Sequence, residues 1–189
     1  MADLQQEMEA FFAEYTERWN DQDDFSSLIE MWDTDDEPYY RPMERTKDSN
    51  HPDGRGVDVF TTWEELKEYW SPNSKNRLIV ALWYEFVNIR AKLVAPDIAV
   101  VAFDAEWDIK AIMGPAASGT DPGFAVLTRK TAGWKMNTYV EACTHPTTYK
   151  SVFADKEDKV RPAFRKLIAE ICEANCYNCP RFKCRETST

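Results

Sequence analysis

Apolar residues recur at helical spacing near the start of the chain. Met8, Phe12, Tyr15 and Trp19 fall at intervals of four, three and four, which predicts an amphipathic helix from about Asp3 to Asn20. Asp24 is placed to cap a second, shorter helix carrying Phe25, Leu28, Ile29 and Trp32. An acidic turn follows, then "YYRPM", a brief extended piece ended by Pro42. From Glu44 to Phe60 the chain is polar, with "HPDGRG" at its middle, and reads as a long loop of functional type. Thr62 and Glu65 have the spacing of a capping box for a third helix, "TTWEELKEYW", which "SPN" stops.

The period then changes to two. Strands are expected over 78–94, 98–112, 124–131 and 134–142, with "GPAASGTDPG" as a hairpin loop and a last helix over roughly 157–174. In the first strand Leu78, Val80 and Leu82 are apolar on one parity, and Val87, Ile89, Ala91 and Leu93 on the other. That switch predicts a bulge or sharp bend near Trp83–Phe86. In the second strand Val101, Phe103, Ala105, Trp107 and Ile109 alternate with Asp104, Glu106, Asp108 and Lys110. The acidic side could gather carboxylates for a metal, but reads better as a solvated or interface face paired with Lys110 and Arg90. Helices ahead of a strongly bent antiparallel sheet make an α+β fold, with the N-terminal helices on one face of the sheet and a cavity at its open end. The chain divides into a domain over 1–155 and a helical, cysteine-rich tail over 156–189.

Composition narrows the partners. A net charge of −10 repels nucleic acid and anionic membranes, and no apolar run reaches spanning length. The start "MADLQQEMEAFF" lacks the pattern of a secretion signal, so a soluble cytoplasmic protein is expected. Seven tryptophans, eight tyrosines and ten phenylalanines suit a thick core or a ring-lined ligand cavity. Of five cysteines, Cys172, Cys176, Cys179 and Cys184 crowd the tail. The odd count argues against a disulfide framework. Four thiolates there could hold a structural zinc or a cluster, against the simpler reading of a helix end with free thiols. Dinucleotide and P-loop glycine patterns and HExxH are all missing, so no cofactor is expected.

The candidate chemistry centres on "EPYYRPMER". Arg41 and Glu44 are three apart beside Tyr39 and Tyr40. In the functional reading Arg41 clamps an oxyanion, carboxylate or phenolate, and Glu44 accepts a proton with its pKa tuned by burial. Set against it is a solvated ion pair worth ~0–1 kcal/mol. Tyr15 shares the helix stripe and is either core or an oxyanion donor. Trp83, Trp107 and Tyr139 are candidates for holding a planar substrate, and Glu141, at the end of the last strand, is a second candidate base. His51 and His145 each precede proline and fit no catalytic triad.

The order of elements resembles the cone-shaped fold of the nuclear transport factor 2 superfamily, also called SnoaL-like. "EYTERWNDQD", "MWDTDDEPYY", "TTWEELKEYW" and "GWKMNTYVEACTHPTTY" carry the resemblance over roughly residues 8–165. The superfamily hosts isomerases, dehydratases, cyclases, lyases and non-enzymes, so it implies a fold more than a reaction. Among ketosteroid isomerases the oxyanion tyrosine precedes an Asn-x-x-Asp turn, as Tyr15 precedes Asn20 to Asp23 here. Their catalytic aspartate stands just before a proline, where this chain has Arg41, and a guanidinium is no base at neutral pH. The "WDTDDEPYY" and "YVEA" pieces are similar to those of cofactor-free lyases that release formaldehyde from diaryl, lignin-derived compounds. The resemblance implies a cofactor-independent lyase, or an isomerase, acting on a small aromatic or hydroxylated hydrophobic molecule. A homo-oligomer, dimer or trimer, is expected. The alternative is a hydrophobic-ligand binder without turnover, and the two part on whether an acid and a base share the pocket.

Overall fold

The computed structural model describes residues 4–21, 25–42, 59–71, 79–111, 116–142 and 161–175. Helix α1 spans Leu4–Trp19 and buries Met8, Phe11, Phe12, Tyr15 and Trp19, the stripe that the spacing predicts. The expected second helix is a 3-10 helix, Phe25–Met31, burying Phe25, Leu28 and Met31. Strand β1 is short, Tyr39–Arg41. Helix α2 spans Trp63–Trp70 behind the complete Thr62–Glu65 capping box. The acidic turn latches this helix: the Trp63 backbone N–H donates to Glu37 Oε2 at 3.2 Å, and its indole N–H to the Asp36 carbonyl at 2.7 Å.

Strands β2 (Ile79–Ala95), β3 (Ile98–Ala111), β4 (Ala117–Lys130) and β5 (Gly133–Glu141) form an antiparallel meander. The sheet order is β1-β5-β4-β3-β2, with β1 parallel to β5. Two expectations are corrected. "ASGTDPG" is not a hairpin loop but the first half of β4, paired with β3 from Ile109–Ala117 onward. Its turn-like composition has a packing reason: a Cβ at Gly119 would collide with the Trp107 ring and one at Gly123 with the Phe103 ring. Besides register shifts at Ile79/Ala81 and Leu93/Ala95, β2 bulges between Val87 and Arg90, past the expected Trp83–Phe86. Asn88 sits there at φ 54°, and its side chain donates to Asp104 Oδ2 at 2.8 Å. Buried positions accordingly switch from Leu82, Tyr84 and Phe86 to Ile89.

Side-chain amides fix α1 to this bent strand. β2 is the sheet edge, and its outward backbone groups need partners. Asn20 Nδ2 donates to the Tyr84 carbonyl and the Tyr84 N–H donates to Asn20 Oδ1, both at 2.8 Å. Gln5 makes the same pair of bonds beyond the bulge, to the Ile89 carbonyl at 2.8 Å and from the Ala91 N–H at 3.2 Å. Asn20→Ala removes two part-buried bonds and is expected to cost about 1–3 kcal/mol, read as a lower urea midpoint at unchanged slope.

Helix α3, Pro162–Asn175, packs on the other face of the sheet, where Phe164 buries against Ala81 and Trp83. Arg161 holds Asp108 at 3.0 Å and Glu106 at 2.7 Å. The acidic face of β3 is thus met by Arg161, a cation outside the expected pairing with Arg90 and Lys110, and Asp104 accepts from Asn88. Among the described residues no helix is long and apolar enough to cross a membrane.

Candidate active site

The concave face of the sheet, under α1, is lined almost entirely by rings. Phe12 meets Phe103 at 5.1 Å and Phe86 at 5.4 Å, Tyr139 stacks on Tyr40 at 5.2 Å and on Phe103 at 5.5 Å, and Trp19 stacks on Tyr84 at 5.2 Å. These rings close against one another, so the open hollow expected from the sequence is, along α1, a packed aromatic wall. A shallow, solvent-open depression on α2 lies apart from it, lined by Thr62, Glu64, Glu65, Lys67, Glu68 and Ser71.

Two carboxylates interrupt the wall. Glu141, 3% exposed, ends β5. Tyr139, two residues back and on the same face, donates to its Oε1, and Tyr84, reaching across from β2, donates to Oε2 at 3.4 Å. Each carboxylate oxygen thus takes one phenol. The second acid is Asp121, 1% exposed, whose Oδ2 accepts the Trp107 indole N–H at 2.5 Å. Asp121 is diagonal to Glu141, because Gly123 is the residue paired with Glu141.

Tyr15 completes the group. Its ring packs on Tyr139 at 6.1 Å, and its buried hydroxyl has no hydrogen-bond partner. Burial pushes its pKa up, most of all; the indoles of Trp32 and Trp19 oppose this by offering N–H groups to the phenol oxygen, and the Glu141 charge adds to the rise. Both indole nitrogens, like the Tyr15 hydroxyl, are buried with no hydrogen-bond partner of accepted geometry. Tyr139 is pushed up as well, first by burial and then by the charge of Glu141. Both phenols therefore stay neutral through the physiological range, as hydrogen-bond donors.

The candidates sort clearly. Tyr15, Tyr40, Trp107, Tyr139 and Glu141 share the inner wall. Trp83 does not, because its parity sends it to the outer face beneath α3. Tyr39 is 42% exposed, and Arg41, half-buried, falls on the same parity as Tyr39, opposite the inward Tyr40. Alternation along β1 thus turns Arg41 away from Tyr15 and Glu141. Glu44, His51 and His145 lie outside the described residues, as do the Cys172 side chain and Cys176, Cys179 and Cys184. Among the described residues no group of three acidic, histidine or cysteine side chains is placed to hold a metal. Sequence reasoning gave no site role to Tyr84, Trp19, Trp32 or Asp121. Trp19 was open to it as the next turn of the Tyr15 stripe, and Tyr84 by sharing the parity of Leu82.

No protein-family model and no curated protein matches the chain. Solved structures do match. A scytalone dehydratase-like protein of Novosphingobium aromaticivorans is 14% identical with a TM-score of 0.57, over 76% of this chain and 86% of that one. A dehydratase-like protein of the NTF2-like family from Streptomyces avermitilis is 14% identical with a TM-score of 0.56, over 75% and 96%. An NTF2-like superfamily protein of Salmonella enterica serovar Typhimurium is 15% identical with a TM-score of 0.56, over 77% and 94%. At these identities the likeness is one of fold. Helices against a curled five-stranded sheet form the NTF2-like cone that the order of elements predicts.

Proposed function

We propose that this protein is a cofactor-independent acid–base enzyme, a lyase or a closely related isomerase, acting on a small aromatic or hydroxylated hydrophobic molecule beside Glu141. One observation carries the reading: a buried carboxylate, held by two phenols, shares an aromatic wall with the unpartnered hydroxyl of Tyr15. Core packing alone has no use for a carboxylate, whose burial is costly. A catalytic base does, because burial and fixed orientation make it ready to take a proton.

The chemistry is redox-neutral. Glu141 takes the proton of a substrate hydroxyl, the carbon–oxygen double bond forms, and the adjacent carbon–carbon bond breaks. Its electron pair passes to the remaining carbon and is delocalised onto an oxygen held by Tyr15. Glu141 then returns the proton to that carbon. With a hydroxymethyl group the departing fragment is formaldehyde, the form that the "YVEA" similarity suggests. Isomerisation is the same proton shuttle between two carbons without the bond cleavage. Arg41, on the outward parity of β1, is given no part in it.

The test is a panel of hydroxymethyl-bearing aryl and diaryl compounds, first screened for binding, then incubated in D2O and followed by proton NMR. Release of formaldehyde with one deuteron on the carbon that held it is the expected result. Deuterium exchange without fragmentation favours the isomerase. If compounds that bind are neither consumed nor exchanged, the protein is a ligand binder.

A further inference from the structure

Tyr84 reaches Glu141 from the far side of the sheet. Strands β4 and β3 lie between β5 and the edge strand β2, yet the Tyr84 phenol donates to Glu141 Oε2 at 3.4 Å. The Tyr139 phenol needs no such span, because it stands two residues from Glu141 on the same strand. One oxygen of the carboxylate is therefore held locally, and the other only as firmly as β2 is held.

An edge strand is paired on one side alone, so a side chain working at a distance from it needs an anchor. The end of α1 supplies one at Tyr84 itself. Asn20 accepts from the Tyr84 N–H and donates to its carbonyl, both at 2.8 Å. Trp19, the residue before, stacks on the Tyr84 ring at 5.2 Å with 25° between the planes. Consecutive residues thus grip the backbone and the ring. Gln5, near the start of the same helix, gives β2 an equal pair of bonds at Ile89 and Ala91, beyond the bulge.

What the grip does chemically follows from the burial of Glu141. Burial favours the neutral carboxyl, whereas a phenol donating to the carboxylate favours the charged form. Sharing the wall with Glu141 are Tyr15 on α1, Tyr40 on β1 and Asp121 on β4, beside Phe103 and Trp107 on β3. None of these is a cation, so among the described residues of the wall it is hydrogen-bond donors that support the ionised state.

We propose that Tyr84 is the positioning residue of Glu141: it keeps the carboxylate ionised and fixes the direction of Oε2, and Trp19 and Asn20 act through it. This rests on Glu141 as the base of the reaction above. It concerns the carboxylate's own proton, however, and is read without any substrate.

The test is a pH titration of the full chain carrying carbon-13-labelled glutamate carboxyls, followed by NMR over the pH range in which circular dichroism shows the fold retained. The Glu141 signal is the one missing from Glu141→Gln. In Tyr84→Phe, which keeps a ring on Trp19, its midpoint is expected to rise by about one pH unit, the effect of one hydrogen bond to a charged group. Asn20→Ala is expected to raise it by less. Gln5→Ala removes as many bonds between α1 and β2 and is expected to leave the midpoint in place. A Glu141 signal that behaves alike in wild type and Tyr84→Phe, or a midpoint that falls, overturns the proposal. So does a Gln5→Ala midpoint that matches Asn20→Ala, because the effect is then only that of a loosened edge strand. A midpoint that moves as expected, in a protein that transforms none of the compounds above, overturns the enzymatic reading alone.

Discussion

Glu141→Gln is expected to lower kcat by about 10²–10⁴ on any substrate the enzyme turns over, with KM changed only a few-fold. The substitution keeps the shape and swaps one oxygen for an amide. The Gln carbonyl can still accept from one phenol and its amide can donate to the oxygen of the other, so the contacts to Tyr139 and Tyr84 retain partners. What it loses is the capacity to take a proton, which acts in the transition state and hardly in ground-state binding. The same assay discriminates between this site and the one that the local sequence suggests. Arg41→Ala is expected to leave kcat within about threefold, because alternation on β1 turns that side chain away from the wall. Wild-type kcat in the glutamine variant removes Glu141 as the base. A large loss in the Arg41 variant returns the site to the β1 lip.

That contrast shows what the sequence could and could not disclose. The α1 stripe, the Thr62–Glu65 cap and the meander are written in local spacing, and the structure follows them. The parity switch in β2 was visible too, but its position was not. The bulge belongs to Asn88, whose positive φ is supported by Asp104 on the next strand, a partner that local pattern cannot reveal. The first half of β4 was hidden for a similar reason. Gly119, Asp121, Pro122 and Gly123 have turn composition, and only the Trp107 and Phe103 rings lying over the two glycines explain it as strand. Misreading that segment as a loop also concealed Asp121 as a wall residue. Proximity in sequence put Arg41 at a pocket lip, whereas the inward Tyr40 leaves Tyr39 and Arg41 on the opposite parity of β1, with Glu44 outside the described residues. Glu141 and Tyr139, two apart on a strand, were legible as one pair. Their partners Tyr84 and Tyr15 come from β2 and α1, and only the closed fold brings them together.

The buried phenols also set an alkaline limit on the fold. Tyr15 and Tyr139 both have folded pKa values raised above the ordinary 10.0, with burial the main cause. A raised folded value leaves stability intact below the unfolded pKa. Above it the unfolded chain releases protons that the folded chain retains, so stability falls as pH rises. The window opens near pH 10 and runs up to the folded values. Within its own window each phenol contributes a slope of about 1.4 kcal/mol per pH unit. Urea midpoints taken from pH 8 to pH 12 are expected to be level with respect to these two groups below pH 10 and then to drop steeply. Tyrosinate absorbance taken as wild type minus the double Tyr15→Phe, Tyr139→Phe variant should rise together with unfolding rather than before it. Tyr139→Phe is expected to make the drop shallower, and the double Tyr15→Phe, Tyr139→Phe variant shallower still. If the midpoint holds level to pH 12, or if that difference absorbance appears in the native state ahead of unfolding, water reaches these hydroxyls and the wall is not dry. The donor strength assigned to Tyr15 and the effect expected of Glu141 would then fall with it, because both depend on the exclusion of solvent from the same few side chains.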